Sequence, residues 1–199
     1  KLVIHPYQNV LVDYRWPWPP LERFVLSSAD AAVAGNPGAA GVLARRGFRK
    51  PVFTLRTLGA YGSDYPAKRG GPVRDRLKRG IPVIGFSGRI FSGKGLHILL
   101  EACARMKKNA QLLVVGEGPR LDAARIQARR LGIGNRISWA GAVPPGRMRD
   151  YYSAMDIFAA PTLDRPGDMP DWKEQCPRAH IEAMLSGLPV VASDGGENA

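Results

Sequence analysis

From residue 81 onward, short apolar runs alternate with segments in which apolar residues recur every three or four positions. The run at 81–86 lies between Gly80 and Gly88, which predicts a buried strand. The segment after it has apolar residues at helical spacing, namely Leu96, Leu99, Leu100 and Cys103. Strands are predicted again at 112–115, 136–140, 157–160 and 188–192. Helices are predicted at 119–131, 147–155 and 177–186, the last ended by Gly187.

This regular alternation of strand and helix predicts the fold class. It is typical of an α/β domain with a doubly wound, mainly parallel, Rossmann-like sheet covered by helices on both faces. In such sheets the crossovers are right-handed, and ligands bind at the carboxyl ends of the strands. The loops that follow each strand are therefore the places to look for a site.

The first fifty residues have a different pattern. Residues 16–20 read Trp-Pro-Trp-Pro-Pro. We expect that neither a helix nor a central strand contains such a run, so a surface connection is predicted there. Helices at 21–26 and 37–46 and a strand at 29–34 follow. Because so few elements cannot close a core, we interpret 1–50 as the tail of a preceding domain and 51–199 as a second domain, truncated at its carboxyl end.

The charge of the chain indicates an anionic partner. Twenty-nine Lys and Arg against seventeen Asp and Glu give a net charge of +12 and a pI near 10.2. Nucleic acid, anionic lipid headgroups and phosphorylated substrates all fit this charge. The basic residues are spread over many segments without the interleaved aromatic residues of a single-strand-binding platform, which disfavours nucleic acid.

Targeting and cysteine patterns indicate a cytoplasmic protein. The amino-terminal residues do not fit a secretory signal, and no apolar run approaches the ~20 residues of a membrane span. Cys103 and Cys176 lack the spacing of a zinc site or of a disulfide framework, so both are predicted to be reduced thiols.

The loop at 86–95 is the first candidate site because it joins a strand to a helix and holds three glycines and two cations. Gly88, Gly93 and Lys94 match part of a P-loop, but Gly95 stands where a P-loop has its magnesium-binding hydroxyl residue. What remains is an anion site formed by Arg89, Lys94 and the helix amino terminus, without a metal. The alternative is a glycine-rich turn with two solvated charges.

Two carboxylates, Glu174 and Glu182, flank the start of the helix predicted at 177–186, with Pro177 as its first residue. An apolar stripe of Ile181, Met184 and Leu185 places Glu182 at the edge of the buried face. A carboxylate there can accept two hydroxyl groups, and the alternative is a surface ion pair with Arg178 four residues earlier.

Neither His97 nor His180 has a partner at metal-ligand spacing, so both are predicted to be structural. Tyr151 and Tyr152, in the helix predicted at 147–155, are predicted to pack.

Several segments in one order resemble a known family. They are Val83 to Arg89 with Lys94 and Gly95, then Val114 to Pro119, Asp156 to Pro161, Glu174 to Glu182, and Gly187 to Asp194. Together they resemble the carboxyl-terminal domain of GT-B retaining glycosyltransferases over residues 51–199. The opening segment, including Tyr7, Gln8, Asn9 and residues 29–34, is similar to the end of that family's amino-terminal domain.

The resemblance implies a role for each motif residue. Arg89 and Lys94 would neutralise the diphosphate of a nucleotide sugar, Glu182 would bind its ribose, and Glu174 would contact its sugar hydroxyls. The catalytic residues implied are Arg89, Lys94 and Glu174. The donor-binding residues implied are Gly88, Arg89, Lys94, Val143, Glu174, Pro177, Arg178 and Glu182. The chain departs from the family where Gln175, Cys176, Pro177 and Arg178 replace the usual glycines, so side chains occupy this stretch and Pro177 has no backbone N–H to donate.

The function implied is transfer of a sugar from a nucleotide-diphosphate sugar to an acceptor, with retention of configuration and without a cofactor or a metal. The acceptor domain would be the amino-terminal one, so this chain alone is expected to be inactive. Lipid-linked or polysaccharide acceptors and an anionic membrane surface suit the positive charge. Two alternatives stay open: a noncatalytic phosphate- or nucleic-acid-binding module, and a GT-B relative such as a nucleotide-sugar epimerase or a phosphorylase.

Overall fold

A computed structural model describes residues 1–6, 8–55, 59–164, 166–167, 172–175 and 177–195. The strands of this part of the chain are β1 (Val3–Ile4), β2 (Ala31–Ala34), β3 (Val52–Thr54), β4 (Val83–Ser87), β5 (Gln111–Val115), β6 (Ile137–Gly141), β7 (Ile157–Ala160) and β8 (Val190–Ala192). The α-helices are α1 (Trp18–Ser28), α2 (Pro37–Arg45), α3 (Leu96–Arg105), α4 (Leu121–Arg130), α5 (Met148–Tyr152) and α6 (Arg178–Leu185). No helix in the described residues is long and apolar enough to span a membrane.

The larger sheet confirms the predicted parallel, doubly wound architecture. Its five strands are all parallel and lie in the order β6-β5-β4-β7-β8. The chain runs outward in one direction from β4 to β6, then returns to the other side of β4 through β7 and β8. The order therefore reverses between β4 and β7, and a crevice opens at the carboxyl ends of these two strands.

Helices cover both faces of this sheet because its central strands are apolar on both faces. Alternate side chains of β5 enter different cores: Leu112 and Val114 pack with α3 and α4, whereas Leu113 and Val115 pack with α5 and α6. The helical spacing noted in α3 is borne out, since Leu96, Leu99, Leu100 and Cys103 are all buried. Cys103 is a free thiol, and Cys176 lies outside the described residues.

The smaller sheet has the order β1-β2-β3 and is also parallel. A small core of Ala29, Ala32, Leu43 and Phe48 lies between it and its helices. Because β3 pairs with β2, residues 52–54 belong to this sheet although they follow the boundary expected at residue 50. The division of the chain into two domains stays a prediction.

The expectation that residues 16–20 contain no helix is wrong. Helix α1 begins at Trp18, and Pro19 and Pro20 lie in its first turn. Proline is tolerated there because the first N–H groups of a helix have no intrahelical partner. Helix α4 likewise begins at Leu121, two residues after Pro119, which lies in the preceding turn.

The loops after β4 and β5 are held together by backbone hydrogen bonds. The N–H of Gly88 donates to Val115 O at 3.0 Å, and the N–H of Ile90 donates to Glu117 O at 2.8 Å. A Cβ on Gly116, whose φ is +128°, would lie 2.0 Å from Gly88 O. Only glycine permits this approach, so the turn after β5 fixes the position of the loop after β4.

We expect Gly116→Ala to lower the free energy of unfolding by about 2 kcal/mol or more, since the new methyl group would overlap backbone atoms at a left-handed φ. Chemical denaturation measures the change. Gly146→Ala is the matched control, because nothing lies within 4 Å of a Cβ at Gly146. Equal stabilities of the two variants would contradict the packing described for these loops.

Candidate functional site

Polar side chains gather at the crevice between β4 and β7. A cavity of about 30 Å³ lies there, and its lining comes from the ends of both strands and from the start of α6. The charged or polar residues of the lining are Ser87, Lys94, Thr162, Arg178 and His180. This is the location that the strand order predicts for a ligand site.

An ion pair joins the two loops that border the crevice. Lys94 Nζ contacts Glu174 Oε2, and the Glu174 side chain is only 7% exposed. The Trp172 ring lies 5.8 Å from Lys94 Nζ and covers one side of the pair. Asn9, from the amino-terminal segment, donates to Glu174 O at 2.9 Å. The pair is thus a largely buried charge pair held from several directions.

Glycines allow the loop of Lys94 to lie close to the strand beside it. Gly95 has φ +67°, and a Cβ there would lie 1.7 Å from Pro161 O. At Gly93 a Cβ would approach Phe91 and Trp172 to 2.6 and 2.7 Å. The N–H of Leu163 donates to Gly93 O at 2.8 Å. This tight backbone packing fixes the position of the Lys94 backbone, from which the side chain extends to Glu174.

Glu182 is buried and hydrogen-bonded through both oxygens. Arg178 Nε donates to Oε1 and the Tyr152 hydroxyl donates to Oε2, each at 2.9 Å. Burial, and then the nearby carboxylate, raise the pKa of Tyr152 and that of Tyr65, the latter to about 12. Both phenols therefore stay protonated at neutral pH, and the Tyr152 hydroxyl donates to the carboxylate.

Helix α6 differs from its predicted form in two respects. Pro177 is the residue before the first helical turn. At the helix start, the amides without a hydrogen bond to a described residue are those of Arg178 and Ala179. The expected apolar stripe is wrong, because Met184 is 57% exposed while His180, Glu182 and Ala183 are buried. Glu182 has partners that satisfy its charge, which allows it to replace an apolar residue on the buried face. The pair with Arg178 exists, but its carboxylate is buried rather than on the surface.

The other predicted site residues lie on neighbouring loops. Arg89 is exposed and makes no ion pair with a described residue. Gly88 precedes it, and a Cβ there would lie 4.0 Å from Lys94 Cε, so Lys94 passes beside Gly88. Val143, after β6, is partly buried against the core that contains Tyr65 and Tyr152.

The structure therefore brings Lys94, Glu174, Pro177 and Arg178 together around the crevice. Glu182 connects to them through Arg178. Arg89 and Val143 lie on loops at the same edge of the sheet, and neither forms a hydrogen bond or an ion pair with these four side chains among the described residues.

Sequence reasoning missed three contributors to the site. Trp172 lies in a proline-rich loop without periodicity, Asn9 is 165 residues from Glu174, and Tyr152 was assigned to packing alone. Tyr152 does pack, since it is fully buried, but its hydroxyl also holds Glu182. The one available signal was that buried tyrosines usually need a hydrogen-bond partner.

His180 is buried beside the cavity without a hydrogen-bond partner for either ring nitrogen among the described residues. Its ring packs edge-on against Phe158, with centroids 5.9 Å apart. Burial lowers its pKa below the ordinary 6.5, and Glu174 and the Pro177 carbonyl oppose this shift while Lys94 adds to it. The Pro177 carbonyl is near enough to affect the pKa of the ring, but it does not form a hydrogen bond with either ring nitrogen.

No group of three or more His, Cys, Asp or Glu side chains that could hold a metal occurs among the residues that the structure describes.

Comparisons with known proteins identify the family and the fold. The family model described as "Glycosyl transferases group 1" matches residues 81–199. A D-inositol 3-phosphate glycosyltransferase of Segniliparus rotundus is 34% identical over 120 residues, which cover 56% of this chain and 27% of that protein. A GDP-mannose-dependent alpha-(1-6)-phosphatidylinositol monomannoside mannosyltransferase of Mycobacterium tuberculosis is 28% identical over 135 residues, covering 66% and 34%. The chain therefore spans about a third or less of these relatives.

Among solved structures, HepE of Anabaena in complex with UDP and glucose has a TM-score of 0.77 at 23% identity. The match covers 98% of this chain and 53% of HepE. The likeness shows that the fold is of the GT-B type, as the sequence motifs predict.

We expect Tyr152→Phe to lower the free energy of unfolding by about 1–3 kcal/mol, because a buried carboxylate oxygen loses its donor. Tyr151→Phe removes the same atom from the preceding residue, whose hydroxyl has no hydrogen bond to a described residue, and should cost less than about 0.5 kcal/mol. Denaturant titration distinguishes the two, and an equal loss would contradict the Tyr152–Glu182 contact.

The lowered pKa of His180 predicts a pH dependence of stability. The folded chain binds this proton less readily than the unfolded chain, so stability should fall as the pH drops through about 6.5 towards the lower folded pKa. The free energy of unfolding of the protein and of His180→Phe, measured at pH 7.5 and 5.5, tests this. The variant should lose part of the pH dependence, whereas His97→Phe, at an exposed position, should keep all of it. The reverse pattern would show that His180 titrates normally.

Proposed function

The chain belongs to the group 1 glycosyl transferases, and we propose that it is the donor-binding part of an enzyme that transfers a sugar from a nucleotide-diphosphate sugar to an acceptor. In this proposal the larger sheet, within the predicted domain 51–199, binds the donor. Residues 1–50, together with β3, which pairs with β2, belong to the acceptor domain and the connection between the domains. Because the acceptor site and the general base would lie in the acceptor domain, this chain alone would not complete the reaction.

The observation that carries the proposal is the Lys94–Glu174 pair at the switch point of the sheet. Separating a buried ion pair is costly unless each partner gains a replacement. A nucleotide sugar supplies a replacement for each partner, since its phosphate is an anion that can bind Lys94 and its hydroxyls can donate hydrogen bonds to Glu174. In our proposal the donor therefore enters between the two side chains and takes over their contact.

The diphosphate would bind between the loop after β4 and the start of α6. Arg89 and Lys94 supply fixed positive charge, and the free amides of Arg178 and Ala179 add the partial charge of a helix amino terminus. Negative charge grows on the diphosphate as it leaves, and cations already in place stabilise that charge without a metal ion. Arg89 and Lys94 would therefore act in catalysis as well as in binding.

Glu182 would bind the ribose of the donor. Arg178 and Tyr152 fix its orientation and use one lone pair on each oxygen, which leaves further acceptor capacity for the two ribose hydroxyls. In the same arrangement the nucleobase rests on the loop of Val143, whose side chain packs in the core around Tyr152.

We further propose that transfer retains the anomeric configuration. Acceptor and leaving phosphate then share one face of an oxocarbenium-like transition state, and the phosphate helps to deprotonate the acceptor. In this proposal Glu174 holds the hydroxyls of the sugar during this step. The likeness of the motifs to retaining members of the family supports this proposal.

The acceptor that we propose is lipid-linked or a polysaccharide, with the enzyme working in the cytoplasm at an anionic membrane surface. One relative is named for an inositol phosphate and another for a phosphatidylinositol monomannoside. The net charge of +12 supports attraction to such acceptors and surfaces.

Calorimetric titration with UDP, GDP and their sugars tests donor binding. We expect one nucleotide series to bind, and Arg89→Ala and Glu182→Ala each to weaken it about tenfold or more through loss of a charged contact. The matched controls are Arg79→Ala and Glu101→Ala. Arg79 is an exposed arginine before β4, at the opposite edge of the sheet, and Glu101 is an exposed glutamate of α3.

Unchanged affinity in both Arg89→Ala and Glu182→Ala would contradict the roles proposed for these residues. Equal binding of all nucleotides, with a steep dependence on salt, would favour a general polyanion-binding module instead.

A further inference from the structure

The role of His180 is not explained by the contacts described above. The residue is only 7% exposed, it lines the cavity between β4, β7 and α6, and both ring nitrogens lack a described partner. An imidazole that only packed against Phe158 would lose hydrogen bonds to water without replacement. Such a residue indicates a polar group that enters the cavity.

The chemistry around the ring distinguishes between the two polar groups of a donor. Burial keeps the imidazole neutral, with one N–H donor and one acceptor nitrogen. A hydroxyl group also donates and accepts one hydrogen bond, and so complements a neutral imidazole. A phosphate offers only acceptors, and it is better served by Lys94 and Arg178, the two cations of the same lining.

The size of the cavity limits what can enter. A water molecule needs a cavity of roughly 10–15 Å³, so about 30 Å³ has room for a hydroxyl or a hydroxymethyl group. A sugar ring is too large. The sugar ring would lie outside the cavity, near Glu174, with one of its substituents directed into the cavity.

We propose that His180 is a specificity-determining residue that binds one hydroxyl group of the transferred sugar in the cavity between β4, β7 and α6. The inference rests on the proposed function, because it requires a nucleotide sugar at this site. In this proposal two side chains bind the sugar: Glu174, which precedes Pro177 in the sequence, and His180, which follows it. The sugar would then be held by a charged acceptor at one hydroxyl and by a neutral donor and acceptor at another.

The test compares a nucleotide sugar with its free nucleoside diphosphate, using the series that the unmodified protein binds. His180→Phe keeps an aromatic ring against Phe158 but cannot form hydrogen bonds. We expect its Kd for the nucleotide sugar to rise about tenfold and its Kd for the nucleoside diphosphate to change less than twofold. His180→Gln, which can still donate and accept, should recover part of the loss. The melting temperature of each variant shows whether its fold is kept.

Donor analogues that each lack one sugar hydroxyl identify the group. One analogue should bind the unmodified protein about tenfold more weakly, and His180→Phe should bind that analogue no worse than the unmodified protein does. A purely structural role for His180 would not produce this dependence on a single hydroxyl.

Two results would overturn the inference while leaving the proposed function intact. One is an unchanged affinity of His180→Phe for the nucleotide sugar. The other is an equal loss for nucleotide sugar and free diphosphate, which would indicate a structural role or a phosphate contact. Absence of any nucleotide binding by the unmodified protein would instead contradict the proposed function, and this inference with it.

Discussion

The ion pair between Lys94 and Glu174 is the contact on which the organisation of the site depends. It joins the loop after β4 to the loop before α6 across the point where the strand order reverses. Because the pair is largely buried, an unpaired charge on either residue would cost free energy. A ligand that separates the pair must therefore supply a new partner for both residues. In our proposal a nucleotide sugar meets this requirement, because it has an anionic part and a hydroxyl-rich part.

The rest of the structure can be understood as the means of holding this pair in place. Gly95 and Gly116 bring the loops close to neighbouring backbone, and Trp172 covers the pair. Asn9, in the segment between β1 and α1, binds the backbone carbonyl of Glu174. The start of α6 directs Arg178 to the same cavity, and Tyr152 fixes Glu182 one turn further along the helix. Positive charge from the loop after β4 and free amides from α6 thus lie at one edge of the sheet.

Much of this could be predicted from the sequence, because strand and helix periods are local properties. The parallel sheet, the buried face of α3 and the candidate residues around Lys94 and Glu174 all followed from runs of neighbouring residues. Three features could not be predicted in this way. Helix α6 buries Glu182 and His180 because distant segments supply partners for Glu182 and a cavity beside His180. The spacing of apolar residues in α6 therefore predicted the wrong buried face. Asn9 and Trp172 reach the site only through the tertiary fold, and Pro19 and Pro20 showed that proline marks a helix start as readily as a break.

A crystal structure of the protein with its nucleotide sugar tests the central claim most directly. The account predicts that the Lys94–Glu174 contact is replaced, with Lys94 Nζ against a phosphate oxygen and Glu174 accepting from a hydroxyl of the sugar. A donor bound elsewhere on the molecule, with the Lys94–Glu174 pair still in contact, would contradict it.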